Sequence, residues 1–283
     1  MPPSATHPTP LLRIRPSRGL GSIGLRDVRE IWEFRDLLIV LASRDLKLRY
    51  KQTFLGVAWV IFQPLLAAGI FSLVFGVMAK FPSEGVPYFV FAFAGQLGWS
   101  VFSSTFSKAS GAMVGNAQLV SKVYFPRILL PASTMLSTLV DLAVGLVVLG
   151  ILMVINGIAL TPALALLPLW ILLLLLLALG LGLMAAALVV SYRDVQYVLP
   201  VLVPLLMYAS PVAYSLSVVP AQWRWIWTIN PLSALLEGFR WSVLGRGSIS
   251  PLSVIASAMA CVAVLILGAG VFKRMERRFA DVI

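Results

Sequence analysis

Six stretches of this chain carry almost nothing polar, and the segments between them hold most of the charge. The apolar runs lie near 54–79, 86–107, 128–155, 164–190, 198–217 and 251–272. Each reaches the roughly 20 residues that a helix needs to cross a hydrocarbon core of about 30 Å. The runs are continuous rather than alternating, and backbone facing lipid must satisfy its own N–H and C=O groups, so the pattern predicts helices. Pro200, Pro204 and Pro211 fall in the fifth run. Each proline removes a helix donor, which predicts a kinked or interrupted span there.

Two segments follow a different pattern. Ahead of the first run, Ile31, Phe34, Leu38 and Leu41 share one helical face, while Glu33, Arg35, Asp36, Arg44 and Lys47 occupy the others. That spacing predicts an amphipathic helix within 31–53 lying at a membrane interface. Between the last two runs, 218–247 contains Trp223, Trp225, Trp227 and Trp241 together with Pro231, Glu237 and Arg240. Leu232, Leu235, Leu236 and Phe239 recur at helical spacing, but 231–244 is too short to cross. A re-entrant or interfacial helix pair on the outer side is the expectation, with the tryptophans at headgroup level. The whole reads as an all-α integral membrane domain over 54–283 with six transmembrane helices. Residues 1–30 form a basic extension whose Pro/Thr/Ser-rich start is expected to be disordered, with no apolar core of the signal-peptide kind.

Charge sets the orientation. With the N-terminus inside, eighteen of the 22 Lys and Arg residues fall in cytoplasmic segments and only Lys80, Arg224, Arg240 and Arg246 outside. This positive-inside bias places both termini in the cytoplasm. It also absorbs most of the +11 net charge, leaving no need for a nucleic-acid partner. Composition agrees: 60% of residues are hydrophobic and 12% charged, against roughly 25% charged in a soluble domain, and mean hydropathy is +0.95. Cys261 is the one cysteine, which excludes an intrachain disulfide.

Candidate chemistry is sparse. There is no G-x-x-x-x-G-K-[ST] phosphate loop, so ATP hydrolysis is not expected of this chain. The one histidine, His7, lies in the extension, and no carboxylate pair or metal-ligand spacing stands out. The run 108–127 is longer and more polar than a tight turn requires. Gly115 and Asn116 there could start a short helix through Gln118 to Lys122, ended by Pro126. It reads either as a docking element for a cytoplasmic partner or as an ordinary loop. Asp141, in the middle of the third run, needs a partner, a proton or the bundle interior, and reads as a packing hydrogen bond more readily than as a proton relay. Aromatics crowd the first two runs, including Trp59, Phe62, Phe89, Phe93 and Trp99. They either stack on the apolar faces of sugars or simply pack and face lipid. Ser100, Ser103, Ser104 and Ser107 share one sector of the second run, open to either a path or a close helix contact. Arg193 and Asp194, after the fourth run, either meet the same partner as 108–127 or snorkel.

Several stretches, in order, resemble the permeases of ABC-2-type polysaccharide exporters. Arg44-Asp45-Leu46-Lys47-Leu48-Arg49-Tyr50-Lys51, with Leu55-Gly56, Trp59 and Gln63-Pro64-Leu65, is similar to their opening segment. Asn116 through Leu119, Lys122, Val123, Tyr124, Phe125, Pro126 and Arg127 resembles their cytoplasmic coupling segment. Asn230-Pro231-Leu232 with Glu237-Gly238-Phe239-Arg240-Trp241 resembles their outer re-entrant region. The resemblance implies a multi-pass protein of the bacterial inner membrane. It implies a homodimer joined to two ABC ATPase subunits that bind the ATP and magnesium, with no cofactor in this chain. Residues 116–127, Arg44 and Arg49 would transmit the ATPase motion. The cargo would be a lipid-linked polysaccharide such as an O-antigen, galactan or teichoic acid, with export of a drug or small lipid as the alternative. Trp59, Phe62, Phe89, Phe93, Trp99, Tyr208 and Tyr214 become candidates for a glycan path, and Asn230, Pro231, Glu237 and Arg240 for the outer region. The extension 1–30 departs from the family pattern.

Overall fold

The computed structural model describes residues 32–51, 58–123, 125–247, 249–276 and 279, and among them all regular structure is helical. In chain order the helices are α1 (Arg35–Lys51), α2 (Ala58–Phe71), α3 (Tyr88–Gly115), α4 (Ala117–Lys122), α5 (Leu129–Ile155), α6 (Leu167–Ser191), α7 (Val195–Tyr208), α8 (Arg224–Ile229), α9 (Pro231–Leu244) and α10 (Pro251–Met275). A π-helical stretch, Ser72–Met78, prolongs α2. Four units are long and apolar enough to cross a membrane: Ala58–Met78, Leu129–Ile155, Pro162–Ser191 and Pro251–Met275. They correspond to the first, third, fourth and sixth runs. The chain is a multi-pass membrane protein.

The second and fifth runs fold differently from simple spans. Helix α3 has 28 residues, about 42 Å at 1.5 Å per residue, and does not stop at 107. It continues through Lys108 to Gly115, so the first half of the expected loop 108–127 is helix, and Lys108 is not a loop charge. Helix α7 has 14 residues and holds Pro200 and Pro204 within it. It ends at Tyr208, and 209–215 is irregular chain rather than the rest of a span. Pro211 cannot donate to the i−4 carbonyl, so the helix gives out just before it.

Helix α6 is the centre. It packs on α3, α5, α7, α9 and α10, and 78% of its apolar window is buried, against 17–28% for the other three long units. Small residues make this possible. A Cβ on Gly180 would lie 2.8 Å from the Leu265 backbone in α10, and one on Gly268 would run into the Gly180 carbonyl. On the other side, a Cβ on Gly182 would lie 2.7 Å from the Ala109 methyl in α3. Backbones meet here because no side chain stands between them.

The buried side chains fall into two clusters, one at each end. At the first end, Leu41 of α1, Met113 of α3, Val120 of α4, Phe125, Leu129, Leu183, Val190 and Phe272 pack together. At the other, Phe91, Trp170, Val212, Leu235, Leu236 and Phe239 do. Helix α1 docks on α5 with Leu41 buried and Phe34 and Leu38 half-buried against the first cluster, as its spacing predicts, although Ile39 and Val40 on another side are also exposed, at 57% and 59%. Ile31 lies outside the described residues, as do the extension 1–30 and Leu55-Gly56.

Replacing Gly180 by Val is expected to destabilise the protein by about 1–3 kcal/mol through overpacking. At Gly111 and Gly150 an added Cβ would meet nothing within 4 Å, so Gly111→Ala and Gly150→Ala are expected to hold or raise stability, by up to about 1 kcal/mol each. Heating detergent-solubilised protein and measuring the monodisperse fraction by gel filtration reads both. A Gly180→Val variant as heat-resistant as the parent contradicts the backbone contact.

Candidate functional site

Three groups of polar residues stand out against the apolar bundle. The first is at the α1 end. Asn116 separates α3 from α4, with its Nδ2 donating to the Ala112 carbonyl at 2.8 Å. The Arg44 guanidinium donates to the Asn116 Oδ1, tying α1 to this junction. The Arg127 guanidinium donates to the Glu276 carbonyl just past α10. Helix α4 forms over the residues its sequence predicts, with Leu119 half-buried, Phe125 buried beyond it, and Lys122 and Val123 exposed. Pro126 and Arg127 open the next helix, their carbonyls accepting from Leu129 at 3.0 Å and Leu130 at 3.2 Å. The structure thus brings Arg44, Asn116, Leu119, Phe125 and Arg127 to one end. Tyr124 lies outside the described residues, as does the side chain of Arg49. Arg193 and Asp194 are exposed in the turn between α6 and α7.

The second group is at the α9 end. Asn230 caps α9, its Oδ1 accepting from the Leu232 N–H at 3.1 Å, and Pro231 occupies the first turn, where a missing N–H costs nothing. Gly245, at φ 64°, closes the helix with its N–H on the Trp241 carbonyl at 2.8 Å. The helix between is deeply packed: Gly238 lies so close to Trp170 that a Cβ would be 2.6 Å from the indole. Arg240 is only 2% exposed. Its guanidinium lies 4.1 Å from the Phe91 ring centre, donates to the Pro211 carbonyl at 3.0 Å and stands 4.0 Å from the Glu237 carboxylate. Glu237 accepts from the Leu216 N–H at 3.3 Å, and burial pushes its carboxyl up, with Arg240 and that N–H acting against the rise. Glu84 accepts from the Ser215 hydroxyl at 2.5 Å. Through these bonds the irregular chain after α7 is held by side chains, which satisfies carbonyls and amides that a broken helix leaves open. A cavity of about 430 Å³ lined by Glu84, Arg224, Glu237, Arg240 and Arg246 opens here.

The third group runs along the contact of α3 with α5. Lys108 Nζ lies 3.2 Å from Asp141 Oδ2 and 3.2 Å from Ser137 Oγ. Asp141 therefore has a cationic partner, which was hidden from the sequence because Lys108 sits where the apolar run appears to have ended. Two cavities flank the pair. One of about 310 Å³ is lined by Gln63, Gln96, Trp99, Ser103, Thr138 and Asp141 among others; one of about 390 Å³ by Asp45, Ser107, Lys108, Asn116, Thr134 and Ser137 among others. The serine sector of the second run is what opens into them.

The aromatic candidates do not converge. Trp59 and Phe62 are each 49% exposed on α2, edge to face with centroids 5.9 Å apart. Phe93 is fully buried, stacked with half-buried Phe89 at 6.5 Å. Trp99 is 4% exposed and borders the smaller cavity. Tyr208 is 63% exposed, while the Tyr214 hydroxyl donates to the Tyr208 carbonyl at 3.1 Å and accepts from the Trp227 indole at 2.9 Å. Among the described residues no cluster of His, Cys, Asp and Glu is placed to hold a metal.

The sequence profile of the family described as ABC-2 type transporter matches residues 36–244, from the first turn of α1 to the last residue of α9. Individual relatives extend the match. The O-antigen export system permease protein RfbA of Myxococcus xanthus is 29% identical over 261 residues, covering 92% of this chain and 100% of that protein. Two proteins of the same description from Klebsiella pneumoniae are 26% identical over 251 residues and 28% identical over 255, each covering 88% of this chain and 95% of the relative. With the Arg44–Asn116 junction, the polar contact of α3 and α5 and the packed α9 all inside the matched region, the chain belongs to the ABC-2 type transporter family as a membrane permease, the transport component and not a catalyst.

Proposed function

We propose that this chain is the permease of an ABC exporter that moves a lipid-linked polysaccharide across the bacterial cytoplasmic membrane, as a homodimer powered by two separate ATPase subunits. The observation that carries this is the near end-to-end match to permeases described as O-antigen export proteins. The family implies an ABC ATPase partner. In this reading α4 and its surroundings are the docking element. Arg44 joins it to α1, and Arg127 joins the following turn to the end of α10. A push on α4 therefore reaches α1 and α10 together. The cargo path draws on the exposed aromatics Trp59 and Phe62 of α2 and Tyr208 of α7, whose stacking surfaces let neutral sugar slide without deep binding minima.

The same reading gives six crossings, with α7 and the chain after it as the fifth and both termini cytoplasmic. The basic residues Arg44, Lys122, Arg127, Arg193 and Lys273 gather at the α1 end, which supports placing it inside. Cys261 is buried, so single cysteines can be introduced without removing it. In intact cells a membrane-impermeant maleimide is expected to label Ser217→Cys, and Ser121→Cys only after permeabilisation. The opposite pattern reverses the orientation.

Deletion of the chain is expected to abolish surface polysaccharide and leave the lipid-linked chain accumulating inside, as is a hydrolysis-dead ATPase partner with the proton gradient intact. Glycan blots of whole cells and of isolated cytoplasmic membranes measure this. Unchanged surface glycan with lost efflux of a drug or small lipid replaces polysaccharide with that alternative cargo.

A further inference from the structure

Helix α4 is six residues long and hangs between two long neighbours that pack on each other. Helix α3 enters it through Asn116, and the chain leaves it by way of Phe125 to begin α5 at Leu129. Any load on α4 therefore enters the bundle through these two legs. Two legs pass a load on only if they move together; otherwise they splay, and the motion dies out where it began. What joins α3 to α5 close to α4 is thus decisive for a transporter driven by an ATPase outside its own chain.

Lys108 lies about 12 Å along α3 from Asn116, at about 1.5 Å per residue. Its Nζ stands 3.2 Å from Asp141 Oδ2 and 3.2 Å from Ser137 Oγ. Ser137 and Asp141 are one turn apart on the same face of α5, so the ammonium grips that turn at both ends and fixes the register of the two helices. Apolar packing has no such direction, and helices held by it alone can slide in small steps. The pair resists sliding, because the Asp141 side chain is only 14% exposed and a carboxylate drawn away from Lys108 has little solvent to turn to. The next residue of α3, Ala109, is fully buried, and its methyl is the one that a Cβ on Gly182 of α6 would approach to 2.7 Å. At one level of the bundle, then, α5 is tied to α3 by charge and α3 to α6 by close approach. Toward α4 the space between the legs is less filled. A cavity of about 390 Å³ lies there, bordered by Leu46 of α1, Gly111 and Ala112 of α3, and Leu130 and Thr134 of α5. A Cβ on Gly111 would meet nothing within 4 Å, so without a cross-tie the legs have room to shift.

We propose that Lys108 and Asp141 are positioning residues for transport: their pair makes α3, α5 and, through Ala109, α6 move as one body when α4 is displaced. A stroke delivered at α4 then reaches the centre of the bundle instead of parting the two helices that carry it. The inference rests on the reading of α4 as the ATPase docking element and needs no particular cargo.

The test uses the full chain with its ATPase partner, in lipid nanodiscs for distances and ATP hydrolysis and in cells for export. Spin labels at Val114→Cys on α3 and Ala132→Cys on α5 report the spacing of the legs by pulsed electron resonance, and the native Cys261 is buried. With the pair intact, that spacing is expected to stay the same when ADP and vanadate trap the ATPase. A spacing that changes overturns the tie before any substitution of the pair is made. Lys108→Met with Asp141→Leu removes the tie without leaving an unpaired charge. Expected are parental heat resistance and ATP hydrolysis, a spacing that lengthens and broadens on trapping, and surface polysaccharide reduced about tenfold. The exchange Lys108→Asp with Asp141→Lys is expected to restore both spacing and export. Parental export and a constant spacing in the apolar variant, or an exchange variant that folds but stays uncoupled, reduces the pair to helix packing. If the apolar variant loses heat resistance, the intact-pair spacing and the exchange variant decide. Cross-linking of Ser121→Cys to the ATPase subunit tests the docking reading separately, and a parent that exports no polysaccharide refutes the cargo alone. The difference in spacing between parent and apolar variant depends on neither, and it then decides the tie.

Discussion

Helix α6 can occupy the middle of the bundle only because its neighbours come within backbone distance of it. Gly180 against Gly268 and Leu265, and Gly182 against Ala109, let α3 and α10 close on both of its sides. In a solvent as apolar as the side chains themselves, burying leucine gains little, and association rests on dispersion contacts and interhelical hydrogen bonds. Close approach multiplies those contacts. It also fixes where α3 lies, and with it where Lys108 and the serine sector of α3 meet α5. The Lys108–Asp141 pair, the Arg44–Asn116 junction and the docking of α9 against Trp170 all inherit their positions from that central contact.

The polar groups of the bundle are concentrated rather than scattered, and each concentration has a physical reason. At the α9 end, helix geometry is abandoned after Tyr208, so Arg240, Glu237 and Glu84 supply the partners that the irregular chain lacks. At the α1 end, the chain turns sharply between α3 and α4, and Asn116 and Arg44 fill the break. Between them, Lys108 and Asp141 pair where neither could stand alone in an apolar surround.

Much of this was legible in the sequence. Continuous apolar runs predicted six spans, of which four are long spanning units among the described residues; the Asn-Pro dipeptide marked the start of α9, and Asn116 marked the start of α4. The three prolines forecast the break in the fifth run, though not that it would come at Tyr208. What the pattern concealed was partnership across helices. Lys108 looked like a loop charge because hydropathy falls off before helix does, and only the three-dimensional course of α3 carries it to Asp141. Arg240 looked like an outer-surface charge because its burial depends on Phe91 and Pro211, far away in the chain. The aromatic candidates divide for the same reason: Phe93 is turned into the core and Trp59 out of it, a distinction that spacing along one helix does not contain.

The shortness of α7 has a consequence for the bilayer itself. Its 14 helical residues cover about 21 Å along the axis, against a hydrocarbon thickness of roughly 30 Å. Val198, Val201 and Leu205 form an exposed apolar strip on it. Wherever that strip meets lipid, acyl chains must shorten or tilt to match, so the membrane is thinned along one flank of the protein and unperturbed along the long helices elsewhere. Lipid composition then becomes a variable of the protein's conformational balance: a thicker bilayer penalises this flank, and a thinner one relieves it.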